Sequence, residues 1–430
     1  MPTGRLLAYG APALPLAAMY FPVYVFLAEF YAGTHGLSLA EIGTVFILVR
    51  LFDAVSDPAV GIASDRLHTR WGRRRPWLAA GTPVVMLSAW MLFVPMPGVS
   101  LSQFALWLFL LTLGWTVMLT PYFAWGAELS GDYAERGRIS VWRETLGLVG
   151  TIAAAVVYSF GADASEGMRY VALLIVIALP LAVLLCLWRV PEPKDYSRSA
   201  STPTALLQVL TGEPLFTRLL LAFFINGAAN ALPAGLFLFF IGQRIGAPDW
   251  GGPLLILYFG AAVLAAPLWP WLVQHFSKHR VWCWAMLYAC VVFAAALLLR
   301  EGDLLAFALI CLLSGAALGA DLSLPSAVQA DLVDLDTARS GSQRTGAFFA
   351  LWSLAQKFAL AGSGGAALIL LGWIGFGAEG GNDPAALAGL AILYAGVPIA
   401  LKLVAVALMW SFPLGRSEQE ALRRRIETTA

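Results

Sequence analysis

An apolar stretch near the start of the chain carries three ionisable side chains at helical spacing. It has the sequence RLFDAVSDP over residues 50–58. Steps of three and four residues place Arg50, Asp53, Ser56 and Asp57 on one face of a helix. Two carboxylates one turn apart in a medium of low dielectric resist being ionised together, and a proton or small cation between them relieves the repulsion. The spacing therefore predicts a cation-binding site.

The proline that follows the second aspartate adds an oxygen ligand to this predicted site. Pro58 has no N–H, so the carbonyl of Ala54 loses its helical partner and is open to a hard cation such as sodium. The alternative is a structural ion pair between Arg50 and one aspartate, with the other aspartate in a water-filled vestibule. We favour the cation site because one arginine cannot neutralise two acids.

Other ionisable residues also lie in apolar stretches, where each costs about 2.5–3.5 kcal/mol and calls for a partner or a function. Lys357 is the candidate to complete the cluster, since its ammonium group competes with a cation for the same carboxylates. The alternative is that Lys357 is a counter-ion for Asp321, a residue that we assign to solute binding and for which a structural role stays open. Glu29 and Lys402 receive no role.

The elements that must hold these residues are membrane-spanning helices. The chain has 430 residues, 60% hydrophobic and 12% charged, against about 45–50% and 25% in a typical soluble domain. A net charge of +1 leaves no basic surplus for nucleic acid. Runs of about 20 apolar residues can cross a bilayer, and we predict twelve. They cover approximately residues 7–33, 39–64, 76–96, 101–129, 140–162, 169–190, 216–243, 249–274, 281–300, 304–330, 346–376 and 385–412.

The order of these spans and the longest polar connection between them predict two halves. The predicted divisions are a six-helix bundle over 1–190, a cytoplasmic linker over 191–215, a second six-helix bundle over 216–412 and a cytoplasmic tail over 413–430. The tripeptide AEL at 127–129 recurs as ADL at 330–332. Such an echo indicates the weak internal repeat of transporters that rock two halves around a site at mid-membrane.

The basic residues predict the orientation of the chain in the membrane. Lys and Arg concentrate in alternate loops, among them 65–75 and 275–280, whereas the loops near 34–38, 97–100 and 377–384 hold none. Because basic loops stay on the cytoplasmic side, we expect both termini there. Short tails and the lack of an organellar leader lead us to expect the inner (plasma) membrane of a bacterium.

Three segments carry a resemblance to a known family. Residues 50–77, RLFDAVSDPAVGIASDRLHTRWGRRRPW, resemble the signature of the glycoside–pentoside–hexuronide cation symporters, a branch of the major facilitator superfamily. Residues 121–144, PYFAWGAELSGDYAERGRISVWRE, and the Gln356-Lys357 pair of the eleventh span are also similar to it. The resemblance implies an all-α membrane fold of twelve helices in two halves, which takes up a solute with a sodium ion or a proton by alternating access.

The resemblance also assigns residues to the cation site. The two aspartates of the family's second span match Asp53 and Asp57, and Ser56 replaces the asparagine between them. The threonine of the fourth span matches Thr116, and the functional lysine of the eleventh span matches Lys357. Since a serine offers a hydroxyl in place of an amide oxygen, both Na+ and H+ stay open as the coupling ion. No cofactor is implied.

The family's solute site is altered in this chain. Two carboxylates that hold the sugar fall on Ala17 and Leu119, which would leave sugar hydroxyls poorly paired. The arginine of the fifth span matches Arg143, and a guanidinium fits a uronate, sulfonate or phosphate group. The further candidates for solute binding are Tyr20, Tyr24, Trp115, Phe123, Asp321 and Gln356, and the alternative for the aromatic residues among them is an interfacial belt.

The loop after the second span resembles a cytoplasmic motif of the superfamily, in which charge pairs between helix ends latch one access state. The candidate gating residues on or near it are Arg50, Asp65, Arg66, Arg73, Arg74 and Arg75, and their candidate partners are Glu128, Asp132, Glu135 and Arg136. The alternative is that these charges only orient the chain, and the two roles are compatible.

The leading hypothesis is cation-coupled symport of a small organic solute, such as a glycoside or sugar acid, by a monomer. A transporter of lysophospholipids or other amphiphiles on the same fold is the alternative, which the apolar residues Ala17 and Leu119 favour. An integral membrane enzyme or receptor is a remote alternative, because the sequence shows no catalytic constellation and no extramembrane domain. We therefore expect a transporter and not an enzyme.

Overall fold

The structure is a computed structural model that describes residues 2–413 except 68, 131–132, 193–208, 341–344 and 379. Some side chains within helices are also outside the description, namely those of residues 65, 127, 133, 134, 136, 137, 270, 334, 337–340, 345, 346, 349 and 361. The described residues form helices joined by short loops, and the strand-like pairing among them is an isolated bridge between Thr69 and Gly72. The predicted all-α fold class is confirmed.

Each of the first six predicted spans is a helix or a run of consecutive helices. The first span comprises Thr3–Gly10, Ala13–Val25, Leu27–Glu29 and the π-helix Phe30–Thr34. The next five are Leu39–Arg66, Arg75–Phe93, Leu101–Glu128, Tyr133–Tyr158 and Ala164–Arg189. The second and fourth spans begin at capping boxes, in which Ser38 pairs with Glu41 and Ser100 with Gln103. These pairs satisfy N–H groups that would otherwise lack partners at the helix start.

The last six spans follow the same pattern. The seventh is Pro214–Phe239 with the π-helix Phe240–Ile245, and the eighth is Gly251–Ala265 with Leu268–His275. The ninth is Lys278–Ala294, the tenth Leu304–Ser340 and the eleventh Thr345–Trp373. The twelfth joins Pro384–Ala391, the π-helix Ile392–Gly396 and Val397–Trp410.

Among the described residues, 11 helical segments are long and apolar enough to cross a membrane. The second span, Leu39–Arg66, is absent from that set, although its 28 residues are ample in length. It is the span that holds Arg50, Asp53 and Asp57 near its middle. The three charged residues that predict the cation site therefore also distinguish the composition of this helix from that of the other spans.

The chain divides into two compact units. The first is Met1–Arg198 with the short pieces Leu368–Trp373 and Gly377–Gly380, and the second contains the remaining residues. The largest buried side chains of the first unit include Tyr9, Tyr122 and Trp125, and those of the second include Phe216 and Trp282. Each unit therefore has its own apolar core of aromatic residues, and the sites below are described within one unit at a time.

Candidate functional site

Asp53 is a buried acid of the second span, with 1% of its surface exposed. Its Oδ2 accepts a hydrogen bond from the Arg50 guanidinium on the same helix, with an N–O distance of 3.1 Å. Its Oδ1 accepts from the hydroxyl of Thr116 on the fourth span at 2.7 Å. Two spans of the same unit thus supply a guanidinium and a hydroxyl to this buried carboxylate.

Arg50 is held from its other side by aromatic residues of the first span. It donates to the hydroxyl of Tyr24, and its guanidinium carbon lies 5.4 Å and 5.0 Å from the ring centres of Tyr20 and Tyr24. Tyr24 donates to the hydroxyl of Tyr20 at 2.6 Å, and Tyr20 stacks on Trp115 at 4.4 Å. Ring faces attract a guanidinium, so these side chains fix the arginine beside Asp53.

The two other second-span candidates lie one turn further along the helix. Ser56 is buried, and its hydroxyl donates to the backbone oxygen of Asp53 at 3.3 Å, which leaves the lone pairs of its oxygen as possible ligands. Asp57 is half-buried. Because Pro58 continues the helix without an N–H, the carbonyl of Ala54 adds an oxygen to the same face. This part of the helix is rich in oxygen ligands.

Arg143 on the fifth span lies over the ring of Phe123, 4.0 Å from its centre. It also donates to the carboxylate of Glu144 at 2.7 Å, and Glu144 has 71% of its side chain exposed. Of the four aromatic residues proposed to lie near Arg143, the structure places Phe123 there, whereas Tyr20, Tyr24 and Trp115 cluster beside Arg50. The guanidinium is thus held between a ring face and a carboxylate that is largely open to its surroundings.

The candidates of the eleventh span belong to the second unit. Lys357 is half-buried and Gln356 is exposed on the helix Thr345–Trp373. The basic partner of Asp321 is Lys402 of the twelfth span, whose Nζ lies 2.9 Å from Oδ2. The interpretation of Lys357 as the counter-ion of Asp321 is therefore replaced by a pairing with Lys402, a residue to which the sequence analysis gave no role.

The loop after the second span ends in two arginines that share one acid. Arg73 and Arg74 each donate to Oε1 of Glu128, at the end of the fourth span, at 2.6 Å. Arg74 also donates to the hydroxyl of Ser64 at 2.7 Å. These contacts tie the ends of the second, third and fourth spans together, as a latch requires.

Glu192, a residue that the sequence analysis missed, completes this cluster. Its Oε1 accepts from the backbone N–H groups of Arg73 and Arg74 at 2.6 Å and 2.7 Å. Arg75 donates to the carbonyl of Val190 at 2.7 Å. A side chain on Gly72, whose φ is +105°, would come within 2.8 Å of the Glu192 carboxylate group. The residues that follow the sixth span are thus fastened to the basic loop.

Of the remaining gating candidates, Glu135 and Arg66 have side chains among those that the structure describes. Glu135 accepts from the hydroxyl of Ser130 at 3.0 Å, and Arg66 is exposed. Asp132 and the side chains of Asp65 and Arg136 lie outside the described residues.

The repeated tripeptide has a structural counterpart in each unit. Glu128 of the AEL sequence accepts from Arg73, and Asp331 of the ADL sequence accepts from Lys278 at 2.7 Å. In both units the basic residue lies at or just before the start of one span, and the acid lies on the span that follows, Glu128 at the end of Leu101–Glu128 and Asp331 inside Leu304–Ser340. The echo therefore marks similar ion pairs on the fourth and tenth spans.

Comparison with known proteins gives a consistent family. The family model described as MFS/sugar transport protein matches residues 8–416. An isoprimeverose transporter of Lactiplantibacillus pentosus is 25% identical over 409 residues, which cover 90% of this chain and 84% of that protein. A glucuronide carrier protein homolog of Escherichia coli is 23% identical over 404 residues, with 91% and 88% covered.

Two further similarities extend this picture. A sodium-dependent lysophosphatidylcholine symporter of Danio rerio is 23% identical over 427 residues, which cover 88% of this chain and 81% of that protein. Among solved structures, the nucleoside transporter NupG superposes with a TM-score of 0.70 at 13% identity and covers 95% of this chain and 99% of its own. At that identity the similarity concerns the fold.

Proposed function

The chain belongs to the MFS/sugar transport protein family, and we propose that within it the protein is a symporter that couples a glycoside or sugar acid to a proton or sodium ion. Members of this family are multi-pass membrane transporters that work by alternating access, so transport is the premise. The proposal concerns the ion site, the solute and the roles of individual residues.

The observation that carries the proposal is the enclosure of Asp53 by Arg50 and Thr116. A carboxylate at membrane depth needs a partner, and Asp53 has the guanidinium of Arg50 and the hydroxyl of Thr116. Asp57, one turn away, brings a second negative charge to the same face. We propose that H+ or Na+ compensates it, with Ser56 and the freed carbonyl of Ala54 as additional oxygen ligands for sodium.

Ion binding and solute binding are coupled if compensation of the second-span carboxylate charge favours the state that binds solute. The ion then shifts the equilibrium between access states by its difference in affinity for them. The latch formed by Arg73, Arg74 and Glu128 is proposed to hold one access state until both ligands are bound.

The solute is proposed to be a glycoside or sugar acid with an anionic group at Arg143. The guanidinium is positioned by the Phe123 ring, and its protein partner, Glu144, is largely exposed. A fork of N–H donors pairs well with a carboxylate. Relatives named for isoprimeverose and glucuronide are consistent with a glycosidic or acidic solute.

A lysolipid is the alternative solute, on the same fold and with the same ion site. One relative is named for sodium-dependent lysophosphatidylcholine symport. Ala17 and Leu119 add apolar surface where the resemblance would have carboxylates. An acyl chain would pack against such a surface, whereas sugar hydroxyls would find fewer hydrogen-bond partners there.

The setting is proposed to be a bacterial inner membrane, with both termini in the cytoplasm and the monomer as the functional form. Relatives from bacteria and the basic residues of the loops support this proposal. An enzymatic activity is not part of it.

The test is a solute screen on purified protein, followed by uptake into proteoliposomes. Thermal stabilisation is measured with neutral glycosides, uronic acids and lysophosphatidylcholine, each in sodium and in choline buffer at several pH values. We expect a glycoside or sugar acid to stabilise the protein and to enter liposomes in response to an imposed ion gradient. Stabilisation by lysophosphatidylcholine alone would refute the assignment of the solute.

A further inference from the structure

The second unit contains a buried ion pair with a closed set of partners. Asp321 of the tenth span and Lys402 of the twelfth lie 2.9 Å apart, and 8% and 9% of their side chains are exposed. The two residues are separated by 81 positions in the sequence. Such a pair is costly to bury unless both groups are fully bonded.

The carboxylate of Asp321 has a donor for each of its acceptor positions. Its Oδ1 accepts from Asn226 at 3.1 Å and from the indole N–H of Trp282 at 2.9 Å. Its Oδ2 accepts from Asn230 at 3.0 Å and from Lys402. An ionised carboxylate offers about four lone pairs. All of them are used, so a further donor would have to displace one that is present.

Asn226 closes the cluster into a ring. Its amide nitrogen donates to Asp321, and its amide oxygen accepts from Lys402 at 2.8 Å. Asn226 is buried, with 2% of its surface exposed. One short polar network thus connects the seventh, ninth, tenth and twelfth spans of this unit.

The cluster lies within the apolar interiors of its helices. Asn226 and Asn230 fall near the middle of the 32-residue apolar segment Pro214–Ile245, and Asp321 lies well inside Leu304–Val333. At this depth water is a poor alternative partner, so loss of any one bond leaves a polar group without compensation.

We propose that Asp321 and Lys402 are positioning residues, whose mutual bonds hold the seventh, ninth, tenth and twelfth spans as one body during transport. The pair has zero net charge and no vacant acceptor position on the carboxylate, so it takes up neither the coupling ion nor the solute. This inference rests on the proposed function in one respect, since it assigns the ion to the first unit alone. It also removes Asp321 from the solute-binding candidates.

Removing one charge is expected to have opposite pH effects for the two residues. Asp321→Asn leaves an unpaired ammonium group, which is more easily buried after it loses a proton, so the stability deficit is largest at low pH. Lys402→Met leaves an unpaired carboxylate, which is more easily buried after it gains a proton, so the deficit is largest at high pH. Tyr258 of the eighth span and Cys290 of the ninth are further titratable groups near the pair among the described residues, and side chains of both types ordinarily have pKa values above the pH range of the experiment.

The experiment measures the melting temperature of purified full-length protein between pH 5.5 and 8. Each single variant is expected to melt roughly 5–10 °C lower than the parent, with opposite slopes against pH. The double variant Asp321→Asn, Lys402→Met is expected to recover most of the loss and the parent's slope. Asp331→Asn combined with Lys278→Met, a more exposed pair, is the matched control and is expected to shift the melting temperature little.

Transport by the double variant completes the test. We expect it to accumulate solute against a gradient with the parent's ratio of ion to solute. Loss of accumulation with retained downhill transport would make the pair a carrier of the coupling ion and overturn the inference. So would an Asp321→Asn protein with the parent's stability and a raised KM for solute. If single variants do not purify, recovery of yield in the double variant gives the same answer. The melting experiment needs no solute, so its outcome does not depend on the proposed function.

Discussion

The hydroxyl of Thr116 donates to Oδ1 of Asp53 across 2.7 Å, between the fourth and second spans of the first unit. Arg50 occupies the other oxygen of the same carboxylate. A change in the charge of Asp53 therefore alters contacts of two helices and of the aromatic residues around Arg50. An ion that binds in this cluster can in this way change how the surrounding spans pack.

Thr116→Val is expected to change the ion concentration needed for half-maximal uptake about tenfold, upwards if the ion is Na+, which loses the hydroxyl oxygen as a ligand, and downwards if it is H+, because the carboxylate then binds a proton more readily. The variant keeps the side chain's shape but removes a hydrogen bond to a charged group, worth about 1.5–3 kcal/mol. Initial uptake rates as a function of sodium concentration and of pH measure the effect. Thr116→Ser keeps the hydroxyl and is the control. Equal ion dependence in the valine and serine variants would exclude Thr116 from the ion site.

Arg50→Gln is expected to destabilise the protein by about 3–5 kcal/mol, because it removes the charge that compensates a carboxylate that is 1% exposed. Arg50→Lys keeps the charge but loses the planar contact with Tyr20 and Tyr24, so we expect an intermediate loss. Thermal unfolding measures both, with the exposed Arg300→Gln as control. A glutamine variant as stable as the parent would mean that Asp53 does not depend on Arg50.

Glu192→Gln is expected to reduce the maximal uptake rate several-fold and to leave the KM for solute unchanged. The substitution removes the negative charge beside Arg73 and Arg74, which form the proposed latch with Glu128. Gly72→Ala is expected to act in the same direction, since its methyl group would collide with the Glu192 side chain. Glu301→Gln, at an exposed loop, is the control. A changed KM with an unchanged maximal rate would contradict a role at the latch.

Arg143→Gln is expected to weaken uptake of a uronic acid at least about tenfold and that of a matched neutral glycoside much less. The reason is the loss of a charge-assisted pair with the acidic group, worth about 1.5–3 kcal/mol. Competition assays with the acid and its neutral analogue measure the difference. Arg138→Gln, exposed on the same span, is the control. An equal loss of uptake for both solutes would show that Arg143 does not bind the acidic group.

The fold was predictable from the sequence because an apolar run of membrane-spanning length can be recognised from its own residues alone. All twelve predicted spans coincide with helices, and the second span was assigned as a span despite the charged residues near its middle. The spacing of Arg50 and Asp53 likewise reports their contact, because residues three apart meet on any helix.

The partners of buried charges depend on how distant helices pack, and that information is not local. The apolar run around Lys402 predicts that its ammonium group has a partner, but nothing in that run identifies Asp321 as the partner. The pair Asn226 and Asn230, four residues apart in an apolar span, was an available signal of a polar face that the sequence analysis did not use. Glu192 acts on backbone N–H groups, which carry no side-chain signature.

The central claim is that uptake is driven by an ion that compensates the charge of the second-span carboxylates. The test measures ion-driven accumulation of solute separately from solute exchange. Proteoliposomes carrying Asp53→Asn, Asp57→Asn or the exposed control Asp249→Asn are assayed for accumulation under an ion gradient and for counterflow without one. We predict that both second-span variants retain counterflow and lose accumulation, while the control keeps both. Accumulation by either second-span variant equal to that of the parent would contradict the account.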